Sequence, residues 1–234
     1  MMIRVITLLC LLALPMSALA SECVVLLHGL WPVSKSMAEL QSKLERSGYQ
    51  TSYVTYPSRQ NTIPELAASA VGEGVASCRK QSARSIHFVT HSLGSILLRV
   101  YLQQTALPEL GRVVMLGPPN QGSQLAEAVK SWPLAGWLLG PAGLALGTDE
   151  SSLVQQLPPV DFELGVIAGT LAINPLGLLF IDGPNDSVVS VASTRVEGMD
   201  DHVVLPVLHS IMMRDNEVID HSIHFLKTGN FIQQ

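Results

Sequence analysis

Short apolar runs that alternate with stretches of helical periodicity constrain this chain more than any other feature. VVLLHG (24–29) is continuous in its apolar residues and ends in a turn, the pattern of a strand covered on both faces of a parallel sheet. TSYVTYP (51–57), SIHFVT (85–90), RVVML (112–116), ELGVIA (163–168) and HVVLPV (202–207) read as further strands. Between the first two, Leu40 and Leu44 recur at helical spacing among Glu39, Lys43, Glu45 and Arg46, until Gly48 stops the pattern. Pro64 opens a second helix running to about Lys80, with Gly72 and Gly74 weakening its middle. LGSILLRVYLQQ (93–104) follows the third strand, and a helix over 215–227 closes the chain. The expected class is α/β, with a mostly parallel sheet, helices on both faces and ligands at the carboxyl ends of the strands.

The rhythm breaks after residue 125. SWPLAGWLLGPAGLALG (131–147) holds two prolines and four glycines, too many for a long helix or a membrane span. A surface cap or lid over about 125–160 is expected, inserted into a single domain covering 21–234. No internal repeat or linker divides that stretch.

The first twenty residues stand apart from the fold. Arg4, an uncharged apolar core from Val5 to Leu14, then Pro15 and Ala18-Leu19-Ala20 form a secretory signal peptide, with cleavage expected after Ala20 and the protein exported to the periplasm or beyond. The apolar core is shorter than the ~20 residues of a membrane-spanning helix. With 14% charged residues and 47% hydrophobic ones the chain is not a disordered one. A formal net charge of −5 without basic runs speaks against nucleic acid or an anionic membrane surface as the main partner. Cys10 leaves with the signal peptide, so Cys23 and Cys78 remain in a compartment where disulfides persist, either paired or as separate buried thiols.

FVTHSLGS (88–95) sets Ser92 between a strand and a helix. In that context a sharp turn lifts a serine hydroxyl above the sheet at a helix N-terminus, although the same position also suits an ordinary helix cap. A base and an orienting acid should follow in the order Asp, then His. Asp186 lies in the turn-rich GPNDSVVS (183–190), and His209 in LPVLHS (205–210) after the last strand. Their rivals are weaker. His202 starts a strand, at the opposite edge of the sheet; His221 and His224 share a face of the closing helix; Asp200 and Asp201 precede the strand of the base; Asp182 alone is near enough to compete. His91 is turned away from its neighbour Ser92 and suits packing or pocket lining. Oxyanion donors are expected from the backbone N–H of Leu93, directly after the serine, and of Leu30 in HGLW (28–31).

Taken in order, HGLW, THSLG, GPPNQGS, PNDSVVS and LPVLHS resemble an α/β-hydrolase of the bacterial esterase and lipase-like kind, over nearly the whole chain after the leader. The resemblance implies Ser92 as nucleophile, Asp186 as acid, His209 as base, and Leu30 and Leu93 as oxyanion donors. GPPNQGS (117–123) looks like the G-x-P-x-x-G-S turn of lipase-like members. Two departures stand out: Thr90 occupies the first glycine position of the elbow, and the strand run begins at the HG strand, which makes this a minimal version of the fold. In the implied topology Cys23 and Cys78 lie together at the lower edge of the sheet, where a disulfide is expected.

The expected activity is serine-dependent hydrolysis of a carboxylic ester with an apolar acyl group, through an acyl-enzyme. Trp31, His91, Trp132 and Trp137, with the leucines between 134 and 146, are candidates to line the pocket. The partners expected are small-molecule or lipid esters, with transient contact with a lipid surface. No nucleotide loop or metal-ligand cluster is evident, so no cofactor and no metal are expected. The same triad would equally serve an acyltransferase or thioesterase, and a hydrolase scaffold can also carry a non-catalytic binding role.

Overall fold

The computed structural model describes residues 21–31 and 37–233. The signal peptide expected at 1–20 lies outside the described residues. Six strands, β1 (Glu22–Leu27), β2 (Gln50–Val54), β3 (Ser85–His91), β4 (Leu110–Leu116), β5 (Leu164–Gly169) and β6 (Asp201–Leu205), form one sheet in the order β2-β1-β3-β4-β5-β6. Every pairing is parallel, so the sheet is wholly rather than mostly parallel.

Alternation within the strands sorts the core into two layers. Val24 and Leu26 of β1 face the layer of α1 (Ala38–Arg46) and α9 (Asn216–Thr228), with Leu40, Leu44, Val218 and Phe225. Val25 and Leu27 face the opposite layer, built from α2 (Ile63–Leu66), α3 (Gly72–Lys80) and α4 (Leu93–Gln104). Both faces are therefore dry, which is why the strand segments read as apolar runs. β2 and β3 flank β1 on opposite sides, so the chain changes winding direction between β1 and β3. The carboxyl ends of those two strands border the crevice that such a reversal opens.

The second helix is a composite. Thr62 and Glu65 cap α2 reciprocally, and Ala67–Val71 adopt π geometry before α3 begins. The two glycines in this helix differ in purpose. A Cβ on Gly74 would collide with Val25 Cγ1 and lie 3.2 Å from Val54 Cγ2, whereas one on Gly72 would meet nothing closer than Tyr101 at 4.0 Å. Gly74 lets α3 approach the sheet closely; Gly72 has no such task.

Cys23 and Cys78 form a disulfide with a Cα–Cα separation of 5.7 Å, tying the start of β1 to α3. Closing a loop of this length contributes ~4 kcal/mol in the chain-entropy account. α9 begins at its Asp215 cap, which accepts from Glu217 and Val218 N–H, and ends at left-handed Gly229. No described helix is long and apolar enough to cross a membrane.

The segment without strand rhythm forms α5 (Gln124–Val129), α6 (Ala135–Leu144) and a 3-10 turn, Leu153–Gln156. α6 is broken at Gly140 (φ 62°), where a side chain would strike Arg59 O. Two short helices that the apolar pattern does not show follow: α7 (Pro175–Phe180) and α8 (Val191–Thr194).

Gly74→Ala should lower stability by ~1–3 kcal/mol through overpacking against Val25. Gly72→Ala should leave it unchanged or raise it by up to ~1 kcal/mol. Urea unfolding of the two variants checks the contrast, and equal effects would contradict the packing described for Gly74.

Candidate active site

The chain leaves β3 at Ser92, whose φ of 53° and ψ of −120° lie in a region that non-glycine residues rarely occupy. The turn is held from several sides. Ser92 N–H donates to Leu116 O on β4 (2.9 Å), and a Cβ on Gly94 would approach Leu27 O and His28 O to 2.8 Å. Gly94 thus lets α4 start directly against the end of β1. Thr90, which stands where the resemblance expects glycine, is fully buried and shares a 2.8 Å hydrogen bond with Ser95 Oγ. A small hydroxyl partner at residue 95 accommodates the larger side chain.

Asp186 is completely buried. Its Oδ1 accepts from Val188 N–H (3.0 Å) and Val189 N–H (2.8 Å), and its Oδ2 accepts from His209 Nδ1–H at 2.7 Å. His209 N–H also donates to Asp186 O, 3.1 Å away. With Nδ1 committed as a donor, Nε2 of the neutral ring is left with its lone pair. Two glycines permit this closeness. A Cβ on Gly117 (φ 51°) would lie 2.9 Å from His209 Nδ1, and one on Gly169 would strike Val207 O and approach Asp186 Cβ to 2.9 Å. The Asp186 loop is anchored further through Ser187 Oγ, which accepts from Ile173 and Asn174 N–H, and through Ser123 Oγ, which donates to Val188 O.

Ser92 and His209 line one cavity of about 370 Å³, within the range of small-molecule sites. Leu125, Ala126 and Val129 of α5, Leu138 and Leu139 of α6, and Leu176, Val188 and Met213 line it. Leu30 and Trp31 border it at the end of β1. Neither the Leu30 nor the Leu93 N–H donates to another described residue, and Leu93 stands at the first turn of α4. His28 is structural: its ring stacks on Tyr56 at 3.9 Å, Nδ1–H donates to Gly29 O (2.7 Å), and Tyr56 OH donates to His28 O. That network fixes the loop carrying Leu30, whose carbonyl accepts from Ser58 Oγ at 2.7 Å.

Of the expected pocket residues, Trp31 and His91 line the cavity, and Trp132 and Trp137 do not. Trp137 is 73% exposed on the outer face of α6, because Leu138, Leu139 and Gly143 take the inner face. Trp132 meets Phe180 edge-on outside the cavity, with the ring centroids 6.4 Å apart. The wall from α5, Leu176 and Met213 was missed by sequence reasoning. Asn174-Pro175 does carry a start signal for α7: Asn174 Oδ1 accepts from Leu176 N–H with proline in the first turn.

The rival residues are occupied elsewhere. Asp182 exchanges two hydrogen bonds with Gln124; Asp200 accepts from Leu164 N–H, and Asp201 from Phe231 N–H. His202 contacts Thr194 Oγ1, His221 packs on Phe231, and His224 Nδ1 donates to Asn230 O. No described group of three or more His, Cys, Asp or Glu residues is arranged to hold a metal.

Burial lowers the pKa of His28, of His87 and, furthest, of His91, where the neighbouring His209 adds to the effect. His87 fills the irregularity between β3 and β4, accepting from Arg112 N–H at 2.8 Å. An unfolded chain takes up protons at these residues below about pH 6.5 while the folded one does not. Stability present above that pH should therefore fall as the pH drops toward the folded values, by up to ~1.4 kcal/mol per unit for each histidine. Urea midpoints at pH 7.5 and 5.0 measure this; an equal or higher midpoint at pH 5.0 would contradict neutral burial.

No family model matches the sequence, and no curated protein matches it. Solved structures do match the fold. The mature lipase BlEst2 of Bacillus licheniformis aligns with a TM-score of 0.69 at 19% identity, covering 88% of this chain and 92% of that one. Phospholipase PlaB of Legionella pneumophila aligns at 0.64 and 19% identity over 89% of this chain, which spans only 57% of PlaB. Lipase 1 of Pelosinus fermentans aligns at 0.63 and 12% identity, covering 92% and 100% of the two chains. With its parallel six-stranded sheet and helices on both faces, the protein has the α/β-hydrolase fold in the form found in these bacterial lipases and this phospholipase.

Proposed function

We propose that this protein is an exported serine hydrolase that cleaves carboxylic esters with an apolar acyl group. The observation that carries the proposal is Ser92 on a left-handed turn, sharing a cavity with His209, whose Nδ1–H is held by fully buried Asp186. His209 Nε2 takes the proton from Ser92 Oγ as that oxygen attacks the ester carbonyl, and Asp186 holds the imidazolium that forms. The N–H groups of Leu30 and Leu93 stabilise the oxyanion. The tetrahedral intermediate collapses as His209 returns the proton to the departing alcohol. Water activated by His209 then frees the acid and restores Ser92.

The wall of leucine, valine and methionine suits an acyl chain, and residues 125–160 act as a cap that closes the cavity. The outside of this region points to lipid substrates. Residues 131–147 and 164–181 contain no charge, and Leu134, Trp137, Leu178 and Leu179 are largely exposed on α6 and α7 and beside them. The disulfide and the leader both fit export.

A panel of p-nitrophenyl esters of rising acyl length tests the reading. Ser92→Ala should lower turnover about 10⁴-fold or more and abolish labelling by a fluorophosphonate, as should His209→Ala. Asp186→Asn should cost about 10⁴-fold by allowing the wrong imidazole tautomer. Wild-type turnover that survives Ser92→Ala would sink the assignment.

Replacing Trp137 and Leu179 together by serine should weaken hydrolysis of a long-chain ester presented in vesicles by about tenfold or more, since each large apolar side chain contributes ~1.5–3 kcal/mol on burial. Turnover of soluble p-nitrophenyl butyrate should not change. An equal loss on both substrates would count against surface contact by these residues.

A further inference from the structure

His91 lies next to the nucleophile, yet the triad makes no use of its imidazole. The side chain is buried and reaches across the site in two directions. Its Nε2 is 2.9 Å from His209 O. A carbonyl only accepts, so Nε2 carries the proton and donates. Its ring packs against that of His209, with centroids 4.7 Å apart and planes tilted by 46°. On the other side Gly29 presses on it: a Cβ there would lie 2.9 Å from His91 Nδ1 and 3.1 Å from Ser92 Cβ. Gly29 directly precedes Leu30, so the ring fills the space between the loop that offers Leu30 N–H and the residue that offers Nε2 as base.

We infer that His91 is a positioning residue that sets the distance between the general base and the oxyanion loop, holding His209 by its carbonyl while Asp186 holds it by its ring. The inference rests on the ester-hydrolase reading above. His209 follows a short loop after β6 and begins a 3-10 turn, and the ring bond to Asp186 fixes only one end of the imidazole. Asp186 also accepts from the His209 backbone N–H, so the bond from His91 is the third anchor and the one that holds the carbonyl. Gly29, without a Cβ, lets the loop seat flush on the His91 ring.

The test separates the hydrogen bond from the space the ring fills. His91→Phe keeps a ring but cannot donate; His91→Gln carries an N–H donor toward the same carbonyl. On p-nitrophenyl butyrate, His91→Phe should lower kcat by roughly 10- to 100-fold, the scale expected when a catalytic group shifts by about 1 Å. KM should stay within about twofold, because the lost contact orients the base and does not bind substrate. His91→Gln should recover most of the loss in kcat. If His91→Phe does not fold, as judged by its thermal melt, His91→Asn replaces it, with the same amide one methylene short of the carbonyl. Unchanged kcat in His91→Phe, a loss confined to KM, or a His91→Gln variant as impaired as His91→Phe would overturn the inference while leaving the hydrolase reading intact, provided Ser92→Ala is inactive. A wild-type protein that cleaves no ester and takes no fluorophosphonate overturns the reading, and the inference with it.

Discussion

A strand buried in the middle of a parallel sheet can display a side chain beyond its carboxyl end only if the chain turns away within a residue or two. At Ser92 it does so in one, with φ at 53° and ψ at −120°. Such a backbone costs on the order of 1–3 kcal/mol and persists only where its surroundings leave no alternative. Here those surroundings are the hydrogen bond to Leu116 O, the contact of Gly94 with the end of β1, and the pairing of Thr90 with Ser95. These contacts depend on β1, β3 and β4 being adjacent, and so on the reversal of strand order between β1 and β3. The same reversal opens the crevice where the loops after β1 and β3 meet.

The other half of the site is assembled by close approach. Asp186 and His209 come from loops more than twenty residues apart, and Asp186 accepts hydrogen bonds from both the ring and the backbone N–H of His209. Gly117 and Gly169 leave room for that contact, since a side chain at either would crowd Asp186 or His209. Buried histidines brace the assembly in neutral form: His28 holds the loop carrying Leu30, and His91 stands between that loop and His209. Burial that strips these rings of charge lets them work as hydrogen-bonding spacers, without placing a cation beside His209.

Much of this was legible in the residues. The six strands and the helices over 38–46, 93–104 and 216–228 follow from local apolar patterns and end signals such as Gly48 and Asp215. Ser92, Asp186 and His209 stand out because each falls at a strand end or in a turn, in an order that one sheet can bring together. The cavity wall was much less legible. Trp132 and Trp137 suggest a pocket by their size, but α6 is apolar around its whole circumference, and composition cannot tell its inner face from its outer one. Only its packing beside α5 turns Leu138 and Leu139 inward and Trp137 outward. α7 escaped notice because six residues carry too little periodicity to separate a helix from an apolar loop.

By itself the sequence determined the layered α/β order, the strand on which the nucleophile candidate rides and the succession of serine, aspartate and histidine, because periodicity and turn chemistry act over a few residues. Only the tertiary structure decided which apolar side chains face the cavity, why Gly74 and Gly94 must be glycine, and that His91 reaches His209, a residue 118 positions away. Those outcomes depend on how closely separate elements approach one another, and that distance is set by the packing of the whole core rather than by any single stretch of chain.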